Sequence, residues 1–331
     1  MVQIDEAKIA EIVARVVARV LPDAGSAPAA SAREPYCAPA PPRYDPGPPR
    51  HETGPQIRIP GTRRGVFDDM DKAVEAAHHA HRALEAGSLD LRAKIVQAMR
   101  DAARNEIQRI SEMALQETGL GRLDDKLKKN ALVVEKTPGL EILRPQAWSG
   151  DNGLMLLERA PYGVIGAITP TTNPTETIIC NGIGMVAGGN AVVFNVHPGA
   201  KGVSNYLVSK LNEAIVGVGG PDNLICSMAD PTIESAGKLM KHKGIRLLVV
   251  TGGPAVVNAA MNSGKRAIAA GPGNPPVVVD ETADLTRAAR GIVMGGSLDN
   301  CIVCTAEKEV IAVSEIADQL KKLCVENGAF E

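Results

Sequence analysis

The sequence predicts an α/β protein built around a doubly wound parallel sheet. Four short runs, 162–169, 191–195, 223–228 and 245–251, are almost continuously apolar, as strands buried on both faces of a sheet must be. Stretches of helical length separate them, and strands that alternate with helices form parallel crossovers. Three of the runs also break at their C-terminal ends into turns of small or polar residues: "ITPTTNP", "FNVHPGAK" and "VTGGPAVV". Doubly wound sheets bind ligands at that end.

Composition bounds the possibilities. The 331 residues are 44% hydrophobic and 22% charged, enough for two domains or one domain with appendages. Aromatic residues are only 2%, so the core is aliphatic and alanine-rich. A net charge of -2 without a basic block argues against nucleic acid as a partner. No apolar run reaches membrane-spanning length. Charged residues interrupt the N-terminus at Glu6, Lys8, Glu11, Arg15 and Arg19, which excludes a secretory leader. Six scattered cysteines are too sparse for a disulfide scaffold and read as reduced thiols.

In chain order, residues 5–21 read as an amphipathic helix. Ile9, Ile12, Val13, Val16, Val17 and Val20 recur at helical spacing, and Pro22 ends the run. Eleven of the thirty-nine residues in 22–60 are proline, so that segment is a disordered, semi-extended linker. A short apolar-faced helix on a stiff linker has no core of its own to join and is expected to dock on a partner. The globular part starts near Gly61. Helices are expected over 71–86 and 91–118, with His78, His79 and His81 on the solvated surface of the first. No downstream ligand spacing completes a metal site around those histidines.

Next come the strand "YGVIGAIT", a helix through "ETIICNGIGMVAGG", the strand "AVVFN" and a helix over 202–216. The strand "NLICSM", a helix near 231–241, the strand "IRLLVVT" and a helix from "GGPAVVNAAM" complete the pattern. A G-x-G-x-x-G fingerprint is missing, since "GIGMVAGG" lies inside a helix with the wrong spacing. Gly252 and Gly253 stand instead at a helix N-terminus. There they either expose backbone N–H groups to a pyrophosphate or only permit the turn.

Cys301 and Cys304 lie in "GGSLDNCIVCTAEKEVIAV", before a strand-like run over 309–313. No second C-x-x-C and no histidine beyond His242 completes a zinc site. A redox pair is expected at the first helix of its fold, and this pair falls late. A single catalytic thiol is the better reading, with a buried structural cysteine as its alternative.

Four blocks carry a resemblance: "APYGVIGAITPTTNPTETIICNGIGMVAGGNAVVFNVHPGAK", "KKNALVVEKTPGLE", "GPGNPPVVVD" and "SLDNCIVCTAEKEVIAV". From about Gly61 onward the chain resembles the CoA-acylating aldehyde dehydrogenases, in the branch of propionaldehyde and acetaldehyde dehydrogenases packaged in bacterial microcompartments. The resemblance implies an NAD-binding domain of the aldehyde dehydrogenase type over 61–274. The start of a second α/β catalytic domain follows over 275–331, which ends 27 residues past Cys304, where family members continue well beyond. Residues 1–21 are similar to that branch's encapsulation peptide. This implies docking on a shell protein, a place in the microcompartment lumen of the cytoplasm, and a homo-oligomer at full length.

By the same resemblance Cys304 is the nucleophile and Cys301 a neighbour. Asn173 points its side-chain amide at the substrate oxygen. Ile168, Thr169 and Pro170 edge the cofactor crevice, Asn195 and His197 lie by the adenosine ribose, and Thr251, Gly252 and Gly253 line the pyrophosphate and nicotinamide side. The implied cofactors are NAD and coenzyme A, with no metal. The Cys304 thiolate adds to a short aldehyde, hydride leaves for the nicotinamide, and an acyl-thioester remains. Hydrolytic relatives place a glutamate before their glycine pair. Here "AIAAGPGNPP" has no carboxylate between Arg266 and Asp280, which argues for release to CoA instead of water. Oxidation to the free acid, or a non-catalytic adaptor targeted by residues 5–21, are the alternatives.

Overall fold

Three of the apolar runs become strands in which every residue is buried: β4 (Val164–Ile168), β5 (Ala191–Asn195) and β6 (Ile225–Met228). Such strands need cover on both faces, and the surrounding helices supply it. In the computed structural model, which describes residues 64–330, β1 is Val66–Phe67, β7 is Leu247–Thr251 and β8 is Arg266–Ala270. These six strands form one sheet in the order β1-β6-β5-β4-β7-β8, and every pairing is parallel. The expected helix and linker over 1–21 and 22–60 lie outside the described residues.

One face of the sheet carries α1 (Met70–Glu85) and α6 (Ile233–Lys241). The other carries α4 (Pro174–Ala187) and α5 (Lys201–Gly217), overlaid by the long α2 (Leu89–Thr118). Against α2 and α4 packs α3 (Leu123–Lys136). The helix ends follow ordinary capping chemistry. Asp69 accepts from the Lys72 N–H, Ser88 from the Leu91 N–H, and Gly119 closes α2 in the left-handed conformation at φ 66°.

The three histidines of α1 differ from the expectation. Only His79 is exposed; His78 bonds the Gly244 carbonyl at 2.9 Å and His81 the Gly189 carbonyl at 3.1 Å. They tie the helix to two loops that the sequence does not place beside it.

In chain order between α3 and β4 comes an antiparallel hairpin, β2 (Gln146–Gly150) and β3 (Gly153–Leu157), with every residue exposed. Beyond β8 the chain pairs β9 (Pro276–Val279) in parallel with β10 (Glu309–Ala312). These strands and the helices α8 (Leu285–Ser297) and α9 (Ser314–Glu326) surround a second, small core of Val279, Ala289, Ile316 and Leu320. Among the described residues no helix is long and apolar enough to cross a membrane.

Candidate active site

The strand order sets where a ligand can enter. From β4 the chain moves outward through β5 and β6, then returns to place β7 on the other side of β4. The turns after β4 and β7 therefore diverge at a switch point, which opens a crevice outside the strand ends. Ile168 pairs with Asn195 on one side and Val250 on the other, so the ends of three strands stand in one row. Ile168, Thr169, Pro170, Asn195, Thr251, Gly252 and Gly253 all lie along that row.

Within it, Thr169 is buried and its Oγ1 has no hydrogen-bond partner among the described residues. A buried hydroxyl left unpaired is unusual and points to a group supplied from outside the chain. Gly252 is a glycine by packing, since a Cβ there would press on Val256. Gly253 caps α7 (Pro254–Met261) at φ −70°, a conformation open to any residue, and a Cβ there would meet nothing within 4 Å. What glycine leaves at that position is bare backbone at a helix N-terminus.

Asn195 is held by Ser235, whose hydroxyl donates to its Oδ1 at 2.5 Å. His197 is exposed and accepts from the Gly199 N–H at 3.1 Å, opening the turn before α5. Neither side chain brings a carboxylate to the end of β5.

Cys304 sits on a loop with unusual backbone. Asp299, Asn300 and Cys301 have φ of 48°, 55° and 59°, three consecutive non-glycine residues in the left-handed region. Such a run persists only where its surroundings enforce it. The enforcement comes from α3. Asp299 is 0% exposed; its Oδ1 accepts from the Arg122 N–H at 2.7 Å, and its own N–H donates to Asp125 Oδ2 at 3.0 Å. Its Oδ2 lies 2.5 Å from Lys129 Nζ and 3.5 Å from Lys126 Nζ. Past the turn, Lys308 donates to the Val303 and Ala306 carbonyls at 2.8 and 3.3 Å and closes the loop around Cys304. Gly273, which follows β8, abuts the Cys304 carbonyl so closely that a Cβ would collide with it. Cys301 and Cys304 are both half-buried free thiols.

Asn173 is the N-cap residue of α4. Its Oδ1 accepts from Lys129 Nζ at 2.6 Å and its Nδ2 donates to Thr172 Oγ1 at 3.2 Å. Lys129 also reaches Glu176 Oε1 at 3.1 Å. Asn173 and the cysteine loop are thus joined through one ammonium group. Burial would raise the Asp125 carboxyl, but the Asp299 N–H and the Arg122 guanidinium outweigh it and hold the group below its ordinary range. Desolvation, followed by repulsion from Lys129, lowers Lys126.

The structure thus holds a free cysteine on a strained loop that Lys129 ties to Asn173. The aldehyde dehydrogenase family matches residues 58–328. This chain belongs to the aldehyde dehydrogenase family. It is 52% identical over 260 residues to the acetylating acetaldehyde dehydrogenase EutE of Salmonella typhimurium, across 78% of this chain and 55% of that protein. Rhodopseudomonas palustris propionaldehyde dehydrogenase, solved with bound CoA and an acylated cysteine, superposes with a TM-score of 0.78 at 52% identity. That match covers 82% of this chain and 62% of the other. A propionaldehyde dehydrogenase from the fucose utilisation microcompartment of Clostridium phytofermentans gives 0.76 at 52%, over 80% and 60% of the two chains. The chain spans little more than half the length of the curated relatives it matches. The doubly wound parallel sheet expected from the sequence is the one this family shares.

The cluster of Asp125, Lys126, Lys129, Glu176 and Asp299 was not singled out from the sequence. Its only signal there is "LDDKLKKN", whose charges read as a solvated helix face.

Proposed function

We propose that the chain is part of an enzyme that oxidises a short aliphatic aldehyde, propionaldehyde or acetaldehyde, to its acyl-CoA. The observation that carries this reading is the segment against the nucleophile. Residues 271–275, which touch the Cys304 backbone through Gly273, contain no carboxylate. The buried carboxylates of the cluster are all ion-paired, Asp299 and Glu176 to Lys129 and Asp125 to Arg122 and Lys128, so none is free to draw a proton from water. A thioester on Cys304 then needs a thiol acceptor.

In this reading Cys304 Sγ bonds to the carbonyl carbon. The oxyanion that forms is stabilised by the second N–H of the Asn173 amide, a donor type worth about 10²–10³ in rate. NAD, when bound, supplies the hydride acceptor. Thr251, Gly252 and Gly253 would line its pyrophosphate and nicotinamide side, with Ile168, Thr169 and Pro170 edging the same crevice and Asn195 and His197 by the ribose. The orphaned Thr169 hydroxyl and the bare backbone at Gly253 fit such a group. After hydride loss the acyl carbon keeps its bond to Cys304. Thiol exchange onto CoA then returns the cysteine.

The same reading divides the chain at 274/275 into a cofactor domain and the start of a catalytic domain, in keeping with its two separate cores. It makes the whole protein a homo-oligomer, a role for which the apolar exposed hairpin of Trp148, Leu154, Met155, Leu156 and Leu157 is suited. It sends residues 5–21 to a microcompartment shell protein and the enzyme to the lumen; the origin of the Clostridium phytofermentans relative in a fucose utilisation microcompartment supports that destination.

The test is NADH formation from propionaldehyde and NAD, with and without CoA, for the chain and its Cys304→Ala variant. CoA-dependent NADH that disappears in the variant is expected. NADH formed equally well without CoA would refute the missing-base argument and favour the free acid. An unsubstituted chain that makes no NADH under either condition would refute the dehydrogenase reading.

A further inference from the structure

We infer that Lys129 is a positioning residue that sets the Asn173 amide and the Cys304 loop with a single ammonium group. The inference rests on the acyl-transfer reading above and adds to it a residue that touches neither substrate nor cofactor. Lys129 is 7% exposed on the inner face of α3, in a row with Lys126 and Asn130. A desolvated ammonium persists only where acceptors surround it. Here its Nζ donates to Asn173 Oδ1 at 2.6 Å and lies at ion-pair distance from two carboxylates, 2.5 Å from Asp299 Oδ2 and 3.1 Å from Glu176 Oε1.

The chemistry of the donor fixes the orientation of its partner. An ammonium group donates and never accepts, so the oxygen end of the Asn173 amide must face Lys129. The Nδ2 end is thereby turned away from the cluster, where one hydrogen goes to Thr172 and the other is left for an oxyanion. At the same time Lys129 anchors Asp299, the first residue of the left-handed turn that leads to Cys304. Oxyanion donor and nucleophile sit on different elements, far apart in sequence, and this contact joins them. Lys126 is more loosely placed, 3.5 Å from Asp299, while Lys128 points outward, 72% exposed, and reaches only Asp125.

Lys129→Met, Asn173→Ala and the double variant test this. The expected result is a fall in kcat of roughly 10²-fold for Lys129→Met, an unchanged KM for NAD, and a double variant whose loss is smaller than the product of the two single losses. A general folding defect would multiply with Asn173→Ala instead. Hydrogen exchange supplies a readout that needs no turnover. Exchange in 171–177 and 297–304 should rise by about an order of magnitude in Lys129→Met and stay unchanged in Lys128→Met. Turnover like that of the unsubstituted chain, multiplicative losses, or unchanged exchange in both segments would overturn the inference. An unsubstituted chain that makes no NADH would count against the dehydrogenase reading instead, and the exchange comparison would still decide the role of Lys129.

Discussion

Asp299→Ala removes a carboxylate that the fold has enclosed completely. Its loss leaves Lys129 without its nearest anion, at 2.5 Å, and Lys126 without the one at 3.5 Å, although both ammonium groups stay buried. Deleting one member of a buried ion pair costs about 3–5 kcal/mol, because the other charge remains desolvated. Glu176 still faces Lys129 at 3.1 Å, which favours the lower part of that range. Two further penalties add to it. The Arg122 N–H loses its 2.7 Å acceptor, and alanine tolerates the φ of 48° less well than aspartate does. The sum is about 4 kcal/mol. For a folded unit of this size each kcal/mol lowers Tm by about 2–4 °C, so thermal unfolding followed by circular dichroism should shift by roughly 10 °C. Adding Lys129→Met should recover part of the loss, since removal of both partners leaves no orphaned charge between them. A shift under about 3 °C, or no recovery in the double variant, would refute the picture of a buried anion holding two lysines.

Two other perturbations have defined outcomes. Gly273→Ala places a Cβ against the Cys304 carbonyl and must displace the Cys304 loop; NADH formation should fall by about 10²-fold, while the melting temperature changes little. Unaltered turnover would mean that 271–275 does not brace Cys304. Asp125 is held below the ordinary carboxylate range by the Asp299 N–H and Arg122, against the opposing effect of burial. A depressed carboxyl contributes stability that is present above its unfolded value of about 4 and is lost as the pH falls through the folded value. The difference in Tm between the chain and Asp125→Asn should therefore be largest near neutrality and shrink with acidification; a difference constant from pH 6 to pH 3 would contradict this.

Some elements are legible because one force dominates them. The strand Ala191–Asn195 coincides with the apolar run that predicts it, since each residue is buried and nothing else competes. The helices over 70–85 and 89–118 match their periodicity to within two residues, helped by Asp69 and Ser88 at their caps. Other elements break the pattern on which such readings depend. The strand Val66–Phe67 has two residues, too few for any periodicity. The hairpin over 146–157 is apolar on β3 yet fully exposed, so burial does not announce it. Helix α3 inverts the usual rule: it buries Lys126, Lys129 and Asn130 and leaves Leu132 58% exposed.

The sequence by itself determined the parallel doubly wound sheet and the family, and it directed attention to Cys304 and Asn173. Local runs and long matching blocks carry that information in chain order. Only the tertiary structure decided how Asn173 and the Cys304 loop are joined. Lys129, Asn173 and Asp299 lie on three elements spread over 170 residues, and each is an ordinary polar residue in its own segment. Their meaning comes from desolvation. Enclosed together, a cation and its acceptors must satisfy one another, and that requirement exists only once the chain has folded around them.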